Sequence, residues 1–476
     1  MTTKKKTKIV ATIGPKTESE EMLSKLIKGG LNVIRLNFSH GDFAEHQNKI
    51  DNGRKASKKL GIPVAFLQDL GGPKIRIGTF GDDPDQRITL KKGQTFTLST
   101  KQCIGTDKKV FVSYTKLPKE IKVGGKILLD DGKKELKVTN IKGTDITTKV
   151  IIGGDTKGRR GVNLPDAELT ISSLTKKDRE DLKFGIDNKV DFIALSFVRK
   201  PKDISDLRII LEKAGSKAGI IAKIETPQAI AAIDEIIELS DGIMVARGDL
   251  AIEVPAEEVP LLQKMIIRKC NRAGIPVITA TQMLESMISS PVPTRAEVSD
   301  IANAILDGTD AIMLSEETTL GEYPLESVEV MDRVSRRVES DYLREQLLID
   351  EIYNDVVGIG SAVTSGAVYT ADEVGADHIV CLTETGYSAR MVSRYKPYQD
   401  IHAFTPTEST FQKLILNFGV TPVAIKRFKS LEDVLKTVQK HFLDNKIANK
   451  GDKIVVVSGW PFGKSVESNI IAVETL

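Results

Sequence analysis

Ile220-Ile221-Ala222-Lys223-Ile224-Glu225 is an apolar run that ends abruptly in a cation and a carboxylate. A strand projects alternate residues to opposite sides, so Lys223 and Glu225 share one face while Ile224 points to the other. The pattern returns at Gly242-Ile243-Met244-Val245-Ala246, followed at once by Arg247-Gly248-Asp249. Two parallel strands of this kind deliver Lys223, Glu225 and Asp249 to one opening. Either stretch alone reads as a salt bridge at a strand end. Together, within the rhythm of the surrounding chain, they read as a catalytic mouth.

That rhythm is α/β. On the N-terminal side, Lys8 to Ile13, Val33 to Asn37 and Val64 to Asp69 read as strands, separated by helical patterns at Glu20 to Lys28 and Ala44 to Leu60. On the C-terminal side, strands at Phe192 to Ser196, Val277 to Thr279 and Ala311 to Leu314 alternate with helices such as Lys176 to Asn188 and Ala296 to Leu306. Counting both sides gives eight strand-helix units, the number that closes a (β/α)8 barrel. An open sheet would require a Gly-rich nucleotide fingerprint after its first strand, and Thr12 to Lys16 supplies none.

Between about Gly78 and Arg159 the period switches to two, with turn signals such as Asp131-Gly132, which predicts an all-β insert after the third strand. A charged helical connector at about Glu339 to Glu351 leads to a further α/β segment with strands at Ile379 to Leu382, Ile401 to Phe404, Val423 to Ile425 and Ile454 to Val457. Four or five strands suit an open sheet. The expected division is a barrel from 1–74 and 164–340, a β lid from 75–163 and an α/β domain from 341–476.

Composition narrows the partners. The 476 residues are 40% hydrophobic and 28% charged, as in a globular protein. Lys plus Arg, at 68, nearly balances Asp plus Glu, at 65, so no overall field draws the chain to nucleic acid or a membrane surface. A small molecule is the expected partner. Ile9 to Ile13 is too short for a signal-peptide core, and three scattered cysteines, Cys103, Cys270 and Cys381, show no metal-like spacing. A reducing cytoplasm fits.

Barrel enzymes work at the C-terminal ends of their strands. Those ends carry Arg35 and Asn37, Asp69, Ser196, Lys223 and Glu225, Asp249, Thr279 and Thr281, and Ser315 to Glu317. Carboxylates without imidazole or thiol partners suit a hard divalent ion such as Mg2+, bound by one or two carboxylates plus substrate oxygens. Glu225 and Asp249 are the expected ligands. Lys223 and Arg35 can neutralise a transferring phosphoryl group, with Lys223 facing that group in preference to Glu225. Gly248-Asp249-Leu250 opens a short helical turn whose free amides suit a substrate carboxylate, and Thr281 offers a hydroxyl for proton relay.

Asn37-Phe38-Ser39-His40-Gly41 after Arg35, Lys223-Ile224-Glu225, Met244 to Leu250, Thr279 to Met287 and Pro293-Thr294-Arg295-Ala296-Glu297, taken in this order, resemble the pyruvate kinase family over nearly the whole chain. The similarity is to the bacterial type without an extra C-terminal domain. It implies phosphoryl transfer from phosphoenolpyruvate to ADP in glycolysis, a mobile β lid, a C-terminal effector domain and a homotetramer. Lys223 would stabilise the moving phosphoryl group, Glu225 and Asp249 would hold one Mg2+ or Mn2+, and Arg35 would contact phosphate. Thr281 would lie near the enolate carbon that is protonated. Asn37, Arg76 and Arg160 would contact nucleotide, with Asp131 as a further lid contact.

The departures from the family pattern are informative. Many members hold potassium with residues matching Asn37, Ser39, Asp69 and the backbone of the next position, which here is Leu70. Lys74 stands where potassium-dependent members carry Glu, and Ile77 where a Thr is common. A lysine ammonium can stand where a monovalent cation would sit, so potassium is not expected to be required. Arg160 replaces a lysine that often contacts nucleotide phosphate, and Glu316 replaces a Gly before Glu317.

Thr383-Glu384-Thr385-Gly386-Tyr387-Ser388 resembles the family's effector loop, with Thr383, Thr385, Gly386 and Ser388 offering hydroxyls and amides to a sugar phosphate or nucleotide. Trp460-Pro461-Phe462-Gly463 would form a second loop over it. Ordinary turn chemistry explains either loop equally well. Two other functions fit parts of the pattern. A Mg2+-dependent pyruvate-enolate lyase would have no use for a nucleotide-enclosing insert or for Lys223, and a silent sugar-phosphate sensor would not need an intact barrel mouth.

Overall fold

The structure is a computed structural model and describes residues 5–81, 83, 85–167, 169–345, 358–427, 430–461 and 467–476. Phe462 and Gly463 of the expected second loop, and the end of the expected connector, lie outside the described residues.

Eight parallel strands close into a barrel: Lys8–Thr12, Val33–Asn37, Ala65–Asp69, Phe192–Leu195, Gly219–Ile224, Gly242–Ala246, Val277–Ala280 and Ala311–Leu314. Each is buried almost throughout, as a parallel sheet covered by helices must be. Alternation along the strands separates two cores. Val10, Leu67, Ala194, Ile221, Met244 and Ile278 pack inside the barrel, whereas Ile9, Ile34, Ile220, Ala222 and Ile224 pack outward against the helices. Capping boxes start two of those helices, Thr175 with Asp178 before Lys176–Asp187 and Thr294 with Glu297 before Arg295–Leu306. Left-handed glycines at Gly61 and Gly274 end two others, Phe43–Leu60 and Val259–Ala273.

The insert after the third strand is all β. A six-stranded sheet runs in the order Val162–Asn163, Lys126–Leu129, Lys134–Lys142, Asp145–Ile152, Thr95–Ser99 and Lys109–Phe111. A two-stranded ribbon pairs Gly154–Lys157 with Arg87–Leu90. Phe80, Phe96, Leu98, Ile127, Leu136 and Ile146 form its separate core.

The C-terminal sheet has five strands ordered Val420–Ala424, Asp400–Thr405, His378–Leu382, Lys453–Ser458 and Ile470–Thr475, the last antiparallel. The first of these begins at Val420 and not at the expected Val423. Pro422 sits within it, which an edge strand tolerates because no ladder donor is needed on its outer side. Glu339 is not part of a connector. It lies in the last barrel helix, Pro324–Glu345, buried, and its carboxylate accepts the amides of Lys6 and Thr7 at 2.7 Å each. Ile415 and Leu416 of the C-terminal domain pack against the barrel's inner core, and Lys396 pairs with Asp310 at 2.9 Å across the same junction. No helix among the described residues is long and apolar enough to cross a membrane.

Candidate active site

The parity that places Ile221 inside the barrel places Lys223 and then Glu225 above it on the same side. Val33 likewise precedes Arg35, Leu67 precedes Asp69, and Ala194 precedes Ser196. Four adjacent strands therefore bring two cations, two carboxylates and a hydroxyl together at the mouth. Asp69 sits at the centre. Its Oδ2 accepts Arg35 Nε at 2.8 Å, and its Oδ1 lies 3.3 Å from Lys223 Nζ. Lys223 Nζ also donates to Ser196 Oγ at 2.7 Å and pairs with Glu225 Oε1 at 2.9 Å. Arg35 Nη1 donates to Thr12 Oγ1 at 2.6 Å.

Lys223 does not turn from Glu225 as expected, because a buried ammonium is drawn to every carboxylate within reach. Burial opposes its charge, but Asp69, Glu225 and Asp249 outweigh burial and hold it above the usual lysine range. Burial also opposes the charge of Asp69, yet Lys223 and Arg35 keep its carboxyl below the usual range. Glu225 is pushed up to about 7 by burial, with Lys223 opposing and Asp249 adding to the rise. Its Oε2 accepts the Phe197 amide at 2.7 Å, while Oε1 accepts no well-formed hydrogen bond.

Asp249 follows from the sixth strand. It lies in the first turn of the helix Arg247–Glu253, half-buried, with no hydrogen-bond or ion-pair partner among the described residues. A carboxylate that is half desolvated and unpartnered, beside Glu225 whose Oε1 meets only the Lys223 ammonium, is a donor set suited to a hard divalent cation. The residues present fit such an ion.

The loop after the seventh strand is strained. Thr281 and Gln282 have φ of 72° and 55°, a region costly for a β-branched residue. Arg247 holds the turn there: Nη2 donates to the Thr281 carbonyl at 2.8 Å, and the guanidinium binds both oxygens of Asp300 at 2.7 Å. Thr281 Oγ1 accepts the Gly248 amide at 2.7 Å and donates to the Ala280 carbonyl at 2.6 Å. The Gly248 amide is therefore not free for substrate in this state.

A cleft of about 390 Å³ runs from this mouth to the lid, walled by Lys74, Arg76, Asp131, Arg160, Phe197 and Asp249 among others. Arg76 and Arg160 of the expected nucleotide residues line it, and Arg160 Nε lies 3.2 Å from Asp130 Oδ1. Asn37 does not line it; its side chain accepts the Ser39 amide at 3.1 Å. Lys74 Nζ donates to Ser39 Oγ at 2.8 Å, and Leu70, fully buried, gives its carbonyl to Ser196 Oγ at 2.8 Å. An ammonium thus stands beside Ser39, within the expected monovalent-cation region.

Two residues read from strand ends lie elsewhere. Thr279 has the opposite parity, and its hydroxyl meets Thr309 at 3.0 Å behind the barrel wall. Glu317 turns inward and ties the Leu284 and Ser315 amides at 3.2 and 2.7 Å. Nothing in the structure explains Glu316. The Phe197 amide, the Arg247–Asp300 clamp and Arg199 at the cleft were not foreseen. Arg247 belongs to the Met244 to Leu250 motif, but Asp300 carries no local signal.

In the C-terminal loop, Thr383 Oγ1 accepts the Gly386 amide at 2.9 Å and Thr385 Oγ1 the Tyr387 amide at 3.4 Å. Ser388 Oγ accepts from Ser468 at 2.7 Å. Trp460 is exposed, and its amide donates to Asn469 Oδ1 at 2.7 Å.

Fold and site together define a (β/α)8 barrel whose mouth gathers two buried cations and three carboxylates at the C-terminal ends of its strands. Two family models, the pyruvate kinase barrel domain and the pyruvate kinase alpha/beta domain, match residues 4–328 and 361–474. The pyruvate kinase of Clostridium perfringens is 43% identical over 99% of this chain and 100% of that protein. That of Staphylococcus saprophyticus is 44% identical over 98% of this chain and 80% of its own length. A solved pyruvate kinase from Cryptosporidium parvum superposes with a TM-score of 0.93 at 37% identity, covering 99% of this chain and 96% of that one. The chain belongs to the pyruvate kinase family and is a phosphotransferase. An enolate lyase is not favoured.

Proposed function

We propose that the barrel mouth transfers the phosphoryl group of phosphoenolpyruvate to ADP, giving pyruvate and ATP in glycolysis. The observation that carries this reading is the buried chain Arg35–Asp69–Lys223–Glu225 opening on the unpartnered carboxylate of Asp249. Glu225 and Asp249 would hold the divalent cation, Mg2+ or Mn2+, whose charge, when bound, neutralises phosphate and enolate oxygens. Lys223, fixed by three oxygens, presents its ammonium to the phosphoryl group in flight, where preorganised charge acts without reorganisation. Arg35 binds a phosphate oxygen while Asp69 holds its guanidinium in place. The first-turn amides at Gly248 and Asp249 receive the substrate carboxylate, that of Gly248 by exchanging its bond to Thr281. The freed Thr281 hydroxyl then stands to relay a proton to the enolate carbon.

Arg76 and Arg160 in the cleft bind the ADP phosphates, the lid excluding water over them, with Asn37 at the strand end beneath. Lys74, bonded to Ser39, takes the place of potassium beside Asn37, Asp69 and Leu70. A coupled assay of ATP formed from phosphoenolpyruvate and ADP tests the activity. The same assay without potassium should retain turnover, and near-complete loss would overturn the role of Lys74. The division at 74, 163 and 340 is taken to separate barrel, lid and effector domain. A sugar phosphate or nucleotide at Thr383, Thr385, Gly386, Ser388 and Trp460 would act by biasing the domains of a cytoplasmic homotetramer. Titrating such compounds against activity tests that site.

A further inference from the structure

At the opposite end of the C-terminal sheet from its effector loop, two imidazoles and a carboxylate meet on one face. His378 pairs in register with Asp400, and His402 follows two residues along the same strand, so all three project to one side. His378 Nδ1 and His402 Nε2 are 3.3 Å apart. With a carboxylate oxygen of Asp400 the ligand atoms all lie within 4.8 Å of one another, and no other such group of His, Cys, Asp or Glu occurs among the described residues.

The nitrogen separation lies at the long end of hydrogen-bond range, so one ring can donate to the other. It also matches the edge of a tetrahedron, about 3.3 Å, whose nitrogen ligands stand ~2.0–2.1 Å from a zinc ion. Phe442 walls the site, its ring centroid 5.3 Å from His378 and 4.7 Å from His402. A wall of this kind excludes solvent and strengthens metal–ligand electrostatics. Lys6 Nζ lies 2.8 Å from Asp400 Oδ1 and competes with a metal for that carboxylate.

We propose that His378, His402 and Asp400 bind one divalent transition-metal ion of the zinc class, with solvent completing a tetrahedron. Two imidazole nitrogens distinguish it from the all-oxygen barrel mouth, which suits Mg2+. Because Asp400 also holds Lys6, at the entry to the first barrel strand, occupancy loosens one ion pair between the two domains.

Co2+ tests this in the full-length enzyme, with Mg2+ in excess to fill the mouth. Equilibrium dialysis should find one Co2+ per chain, with the visible absorption of tetrahedral cobalt, and Zn2+ should displace it. His378→Asn and His402→Asn should abolish the site, Asp400→Asn should weaken it about 10–100-fold, and Lys6→Met should tighten it. Circular dichroism and ATP formation check that each variant folds. His378 is only half-buried and carries the test if His402→Asn does not fold. Absence of Co2+ beyond the mouth, or binding unchanged in His378→Asn, would overturn the proposal.

Discussion

The barrel mouth and the C-terminal loop at 383–388 are built on the same local plan, a parallel strand running into a short helix, yet their polar groups end differently. At the mouth, Arg35, Asp69, Lys223 and Glu225 are buried and interlocked, and Asp249 remains without a partner. In the loop, the hydroxyls of Thr383 and Thr385 satisfy the amides of Gly386 and Tyr387, and Ser388 is engaged by Ser468. The mouth keeps charge in excess of its own needs, at the cost of burying it. The loop spends these hydroxyls on its own amides and on Ser468. Burial of charge is the more telling of the two, because folding alone would favour apolar residues in its place.

Replacing Lys223 should break the mouth most severely. Lys223→Met should lower kcat/KM for phosphoenolpyruvate about 10³-fold or more, read in the coupled assay beside a thermal melt. Asp69→Ala comes next, because it strands two cations: unfolding in urea should show a loss of about 3–5 kcal/mol together with most of the activity. Asp249→Asn should leave the fold intact and raise the Mg2+ concentration for half-maximal rate by about 10–100-fold. Glu225 sharpens the same point through pH. Its carboxyl, raised by burial to about 7, is protonated below that value, so Mg2+ should bind progressively less well as pH falls through about 7. Glu225→Gln should flatten that dependence, as Mg2+ titrations at several pH values would show. At the loop, Thr383→Ala should cost only about 0.5–1.5 kcal/mol in a melt and leave turnover without effector unchanged. A large loss of basal rate there would erase the distinction between the two regions.

Much of this molecule is legible in its sequence because strand parity is local. Once Ile221 is inside the barrel, Lys223 and Glu225 follow, and the same rule carries Arg35, Asp69 and Ser196. Thr279 failed by that rule, since its neighbours Ile278 and Ala280 are the inward residues. Glu317 failed for a different reason, because a residue beyond a strand end has no parity to obey. The Arg247–Asp300 clamp joins residues far apart in the chain, and nothing in either segment announces the other.

The sequence by itself determined the eight strand-helix units, the β insert, the smaller C-terminal sheet and the residues carried to each strand end, since all of these follow from periodicity along the chain. Only the tertiary structure decided which charges pair. Lys223 meets Glu225 and Asp69 together, Asp249 meets none, and Lys74 meets Ser39. Such choices depend on distances across strands and on how far each group is withdrawn from water, and neither is written in the order of the residues.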